Sequence, residues 1–115
     1  MQHRIVKDGP LLDELGILRE PGWATELKLD YHRKDVKAPK MRRKEWDYYL
    51  ITNGKFGLAL TIADNGYMGL VSVSLLDFQE KWEQTTSPMV IMPMGKMKLP
   101  ETSVTGDLYA GGKGY

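Results

Sequence analysis

At 115 residues and a net charge of +1, the chain has room for one domain and no bulk-charge case for a nucleic-acid or acidic-membrane partner. It holds no cysteine, which excludes a disulfide framework, a thiolate nucleophile and a Cys-based metal site, and fits a reducing compartment. The opening Met1-Gln2-His3-Arg4 lacks the apolar core of a signal peptide, and no apolar run approaches the roughly 18 residues of a membrane span. The cytoplasm is therefore the expected location.

In chain order, Leu11-Leu12, Asp13-Glu14-Leu15-Gly16 and Ile17-Leu18 read as a small hairpin, with Asp at the first turn position and Gly at the last. Pro21-Gly22 closes it. Residues 26–31, with Leu27, Leu29 and Tyr31 on one side, predict a short strand, followed by a polar connection through Pro39. Residues 44–76 form three apolar, alternating runs separated by Asn53-Gly54 and Asn65-Gly66. Asn-Gly between such runs is the strongest short-range hairpin signal, so a three-strand antiparallel meander is predicted. Residues 77–87, with Trp82, are expected as a loop, with room for a helical turn. Residues 89–99 are expected as a fourth long strand, with Pro93 at an edge or bulge. The β domain is bounded at residues 1–106, and the Gly-rich residues 107–115 read as a disordered tail or a truncation end.

Taking each Asn-Gly as a two-residue loop sets a register. Ile51 then faces Phe56, Tyr49 faces Leu58 and Asp47 faces Leu60, while Leu60 faces Val71 and Leu58 faces Val73. One sheet face reads Tyr49, Ile51, Phe56, Leu58, Leu60, Ile62, Val71, Val73 and Leu75, and is expected to be a core. The other sets Trp46, Tyr48 and Leu50 against Thr61, Ala59 and Gly57, large side chains opposite small ones. A sheet with one wholly apolar face must bury it. It can curl into a partial barrel, dimerise, or belong to a chain with a further C-terminal domain.

Several segments carry a family resemblance. Gly9-Pro10-Leu11-Leu12-Asp13 with Gly16, Leu18-Arg19-Glu20-Pro21-Gly22, and then Lys44-Glu45-Trp46-Asp47-Tyr48-Tyr49-Leu50-Ile51, resemble the opening of the bacterial domain of unknown function 2804 family. So do Leu60-Thr61-Ile62-Ala63-Asp64-Asn65, Tyr67-Met68-Gly69 and Met94-Gly95-Lys96-Met97. The likeness runs in order to about Asp107, and family members are typically longer. The family has no established activity. More distantly it is similar to the tandem lipocalin-like barrels of tocopherol cyclase and carotenoid hydratase relatives. The resemblance thus implies an all-β, antiparallel meander sheet forming a lipocalin-like (calycin-like) half or partial barrel.

Among chemistry-bearing residues Asp47 is the sharpest. Its register places it on the apolar face, where desolvation disfavours a charged carboxylate and suits it to acid–base work on an isoprenoid-like lipid. The plainer alternative is a strand-end aspartate reaching water. Asp64 and Asp77 read as turn residues. Trp46, Tyr48, Tyr49, Leu58, Leu60, Tyr67, Val71 and Trp82 are the candidate lining of a hydrophobic ligand site, against plain cross-strand packing. Met89, Met92, Met94 and Met97 read as flexible lining or filler. The basic run Lys37, Lys40, Arg42, Arg43 and Lys44 has no interleaved aromatic platform and reads as solvated edge protection rather than a nucleic-acid contact. His3 and His32 lack ligand-spaced partners, so no metal is expected. Gly106, Gly111 and Lys113 fail the phosphate-loop pattern because Gly112 stands where Lys is required.

Two functions from different classes follow. One is a module binding a hydrophobic small molecule or lipid; the other is a lipid- or isoprenoid-modifying enzyme using Asp47. A truncated fragment without independent function is the third reading. No cofactor follows from these residues.

Overall fold

The computed structural model describes residues 2–112. It divides into two compact units, one of Met1–Ala38 with Pro100–Gly106 and the other of Pro39–Leu99 with the segment from Asp107.

In the first unit, β1 (Gly9–Pro10) pairs in parallel with β2 (Leu29–Asp30). The predicted strand over residues 26–31 is thus only two residues long. The small hairpin forms as read: Gly16 N–H donates to the Asp13 carbonyl and Leu12 bridges Leu18. Asp13 Oδ1 accepts the N–H groups of Leu15 and Ile17. A short carboxylate thereby supplies the turn with the acceptor its backbone lacks. The polar connection holds two single 3-10 turns, Arg33–Asp35 and Lys40–Arg42, the second of them in the other unit.

The second unit is an open antiparallel sheet of β3 (Glu45–Thr52), β4 (Phe56–Asp64), β5 (Met68–Asp77), β6 (Trp82–Thr86) and β7 (Met89–Ile91). Its order is β3-β4-β5-β6, with β7 also on β5, and among the described residues it does not close into a barrel. The fold is all-β, and no helix among the described residues is long and apolar enough to cross a membrane.

Both hairpins are shifted by two residues from the predicted register. Tyr49 faces Leu60, Ile51 faces Leu58 and Asp47 faces Ile62; Leu60 faces Val73 and Leu58 faces Leu75. The cause lies in the turns. Asn53 is not a central turn residue but the last paired one, its N–H donating to the Phe56 carbonyl at 3.2 Å. Its side-chain Oδ1 accepts the N–H groups of Lys55 and Phe56, leaving Gly54-Lys55 as the loop. Gly54 carries the positive φ, +85°, as the first central residue of a type II′ turn does. Asn65 likewise pairs with Met68 through an N–H···O bond of 2.8 Å. There Tyr67 N–H folds back onto the Asn65 carbonyl around Gly66 at φ +77°, a γ-turn. A shift of two preserves which face each side chain occupies, because strand side chains alternate with period two.

Two further expectations are corrected. Residues 82–86, read as loop, form β6, in which Thr85 Oγ1 pairs with Ser74 Oγ at 2.7 Å. Ser87 Oγ continues this pattern with Ser72 Oγ at 2.8 Å. β6 and β7 are in one register along β5, interrupted at Pro88, whose carbonyl accepts the Val71 N–H. Pro88, rather than Pro93, is thus the edge proline. The long strand over residues 89–99 ends at Ile91, because Met92, Met94 and Lys98 adopt φ of 51°, 53° and 51°, which no strand accommodates.

The expected core face is exposed rather than buried, and Trp46, Tyr48 and Leu50 on the other face are exposed as well. Tyr49, Ile51, Phe56, Leu58, Val73 and Leu75 retain between 37% and 61% of their surface. Among the described residues the buried hydrophobic side chains are few, and those in the sheet are small: Ala59 and Ala63, with Ile5 and Leu99 outside it. Ala59 and Ala63 lie under Leu50 and Trp46, their cross-strand partners, so the pairing of large with small side chains holds on that face.

The two turn glycines yield a paired prediction. A Cβ at Gly54 meets nothing, whereas one at Gly66 would drive into the Lys40 carbonyl oxygen and the Met41 backbone. Gly54→Ala should therefore cost only the left-handed strain, roughly 1–2 kcal/mol, and Gly66→Ala distinctly more. Urea midpoints of the two variants check the ranking; equal losses would contradict it.

Candidate functional site

The observed register arranges the apolar face in rows across β3, β4 and β5. They are Ile51–Leu58–Leu75, Tyr49–Leu60–Val73 and Asp47–Ile62–Val71, with Phe56 beside Asp77 and Trp82 at one end. Of the residues singled out from sequence, Asp47, Tyr49, Leu58, Leu60, Val71 and Trp82 thus share one face. Trp46 and Tyr48, exposed and one residue out of phase, lie on the other face. Tyr67 sits in the β4–β5 turn. Asp47 is half-buried, and its carboxylate has no hydrogen bond or ion pair among the described residues. The face is a broad, mostly aliphatic surface whose centre carries no polar side chain, with acidic residues towards one end where Glu45 stands opposite Asp64.

That acidic end is built around Asp64, which is only 3% exposed. Its Oδ1 accepts Gly66 N–H at 3.0 Å and its Oδ2 accepts Gly95 N–H at 2.8 Å and Met97 N–H at 3.4 Å. Met92 and Met94 N–H groups donate in turn to the Tyr67 and Gly66 carbonyls at 3.0 Å each. Gly69, facing Asp64, has no side chain because Met97 Sδ and Val90 occupy that space. One buried carboxylate therefore ties the β4–β5 turn to the irregular segment after β7, and compensates left-handed residues that would each cost of order 1–3 kcal/mol alone. The turn role of Asp64 was legible in the sequence; its hold on Gly95 and Met97 was not. Asp77 caps the β5–β6 turn, its Oδ1 accepting Gln79 and Glu80 N–H.

In the first unit Leu27, Leu29, Tyr31, His32, Glu101 and Thr102 line an open groove of about 430 Å³. Glu101 accepts Arg33 N–H at 2.7 Å and pairs with His32 at 3.3 Å. The Arg33 backbone N–H, followed by the His32 ring, holds the Glu101 carboxyl below the usual carboxylate range. His3 stands against Glu20. Lys28 is held above its usual value by hydrogen bonds to Glu26 and then Asp8. Among the described residues no group of three or more His, Asp or Glu side chains is placed to hold a metal ion.

The class these features define is an open, all-β sheet domain with a broad unburied apolar face. Its sequence matches the family described as Domain of unknown function (DUF2804) over residues 2–114. The chain belongs to that family. No curated protein and no solved structure matches it.

Two tests follow. Asp64→Ala strands several buried backbone donors, so a loss of about 1–3 kcal/mol is expected in chemical denaturation, with the amides of Gly95 and Met97 losing protection from hydrogen exchange. Unchanged protection there would contradict the clamp. Glu101 binds protons less readily folded than unfolded, so its contribution is present above pH 4.5 and lost as pH falls through its lowered folded value. Glu101→Gln should flatten stability against pH in that acid window only, and an NMR titration of the Glu101 carboxyl should give a midpoint below 4.5.

Proposed function

We propose that this domain binds a hydrophobic small molecule or lipid on the sheet face that carries Tyr49, Leu58, Leu60, Val71 and Trp82. The observation that carries this reading is the exposure of that face: six of its large apolar side chains, from Tyr49 to Leu75, keep more than a third of their surface. Contiguous apolar surface of this kind marks a binding site in soluble proteins. Tyr49 and Trp82 flank an aliphatic middle, offering ring faces and polar tips at its borders. Analogy with lipocalin-like barrels agrees with a greasy ligand but does not carry the argument.

A second reading rests on Asp47, half-buried at the end of the same face and without a hydrogen-bond or ion-pair partner among the described residues. There the domain would form part of a lipid- or isoprenoid-modifying enzyme, with Asp47 exchanging a proton with the bound chain. Asp47→Asn separates the two, since it should leave binding intact and remove turnover.

Titration of the chain with a dansyl-labelled fatty acid tests the first reading. Saturable binding is expected, weakened at least about tenfold by Leu58→Glu, equivalent to about 1.4 kcal/mol. Glu83→Lys, on the opposite face, should leave it unchanged. Absence of saturation, or equal weakening by both variants, would sink the proposal.

A further inference from the structure

β3 is an outer strand of the sheet. Asn53 and Phe56 form a hydrogen-bonded pair, and such pairs recur at every second residue of an antiparallel ladder. Ile51, Tyr49 and Asp47 therefore direct their N–H and C=O groups to β4. Those of Trp46, Tyr48, Leu50 and Thr52 point out of the sheet, and among the described residues nothing but β4 pairs with this strand. Natural sheets blunt such an edge with lysine, proline, a bulge or brevity. Within Glu45–Thr52 β3 has no lysine, proline or bulge and carries charge only at its start, on Glu45 and Asp47; it runs for 8 residues and leaves Trp46, Tyr48, Tyr49, Leu50 and Ile51 exposed.

We propose that this edge is a self-association surface, on which β3 of a second copy of the chain pairs antiparallel about a two-fold axis through Tyr49. The inference is independent of the ligand reading. Two features of β3 select a second copy as the occupant. Outward-facing groups must meet outward-facing groups, and with the axis at Tyr49 all of them do. Trp46 then pairs with Thr52 and Tyr48 with Leu50, each pairing repeated by symmetry. The same register sets Asp47 opposite Ile51 and Glu45 opposite Asn53, so no carboxylate faces another. An axis at Asp47 would oppose two carboxylates directly, and one at Tyr48 would leave Thr52 opposite Lys44, outside the strand. The resulting pairs join an aromatic to a β-branched residue, an aromatic to Leu50, and Tyr49 to its own copy, combinations that stabilise cross-strand contacts. The contact is isologous and so closes as a dimer.

Sedimentation velocity of the chain at micromolar concentrations should show a dimer. Leu50→Pro removes one outward N–H at a position where an edge strand tolerates proline, and should yield a monomer with an unchanged far-UV spectrum. Independently, the cysteine-free chain allows unique thiols. Tyr49→Cys sits at a non-hydrogen-bonded pair with Cα atoms about 4.5 Å apart, within disulfide range, and should form a disulfide-linked dimer on mild oxidation. Ile51→Cys lies about 13 Å along the strand from its counterpart and should not. A monomeric wild-type chain, whether its edge stays bare or takes up another protein's strand, overturns the proposal. So does a folded Leu50→Pro variant that still dimerises, or cross-linking through Ile51→Cys as readily as through Tyr49→Cys.

Discussion

The pleat of β4 is the constraint on which the larger unit depends. With partners on both sides, β4 passes its alternation of Leu58, Leu60 and Ile62 against Gly57, Ala59 and Ala63 to β3 and β5. The small residues let Trp46, Leu50 and Leu76 lie across them, which buries Ala59 and Ala63 while Trp46 and Leu50 stay exposed. On the other side Leu58 is exposed and Leu60 and Ile62 are only half-buried. Order in this unit therefore rests on a backbone ladder and on hydrogen-bonded turns more than on a buried apolar core. That places unusual weight on the acceptors that finish the turns, Asn53, Asp64 and Asp77.

Strand identity and facing in the β3–β4–β5 meander were legible in the sequence because both follow from period two. Tyr49, Leu58, Leu60 and Val71 share a face under the predicted register and under the observed one, since a slip of two cannot separate them. The turns were less legible. Asn and Gly both tolerate positive φ, and only the side-chain bonds of Asn53 to Lys55 and Phe56 show that the asparagine closes the ladder and leaves the bend to glycine. β6 escaped notice because Glu83, Gln84, Thr85 and Thr86 offer no apolar alternation; their strand is held by hydroxyl pairing and by the existing edge of β5. Residues 92–98 alternate weakly as a strand does, but Asp64 holds two of their amides in an irregular path.

The candidate site was half legible for a related reason. Membership of a face can be read from spacing, whereas burial depends on what packs against that face. Nine apolar side chains in phase look like an interior in any sequence; here most of them meet solvent. Trp46 and Tyr48 entered the same candidate set on aromatic character alone, and period two sends them to the other side. Two of the segments that carry the family resemblance have a structural purpose: residues 60–69 and 94–97 converge on the Asp64 carboxylate.

The hydrogen bonds at the two Asn-Gly turns also bear on how the chain ages. An asparagine before glycine is the sequence most prone to deamidation, because the unhindered glycine nitrogen attacks the side-chain amide to form a cyclic imide. Here Gly54 N–H donates to Thr52 Oγ1 and Gly66 N–H donates to the buried Asp64, while the Asn53 side-chain Oδ1 is held by the Lys55 and Phe56 amides. Each nucleophile is thus occupied as long as the hairpin is closed. Deamidation at either dipeptide, which adds a negative charge, should therefore be favoured by opening of its turn.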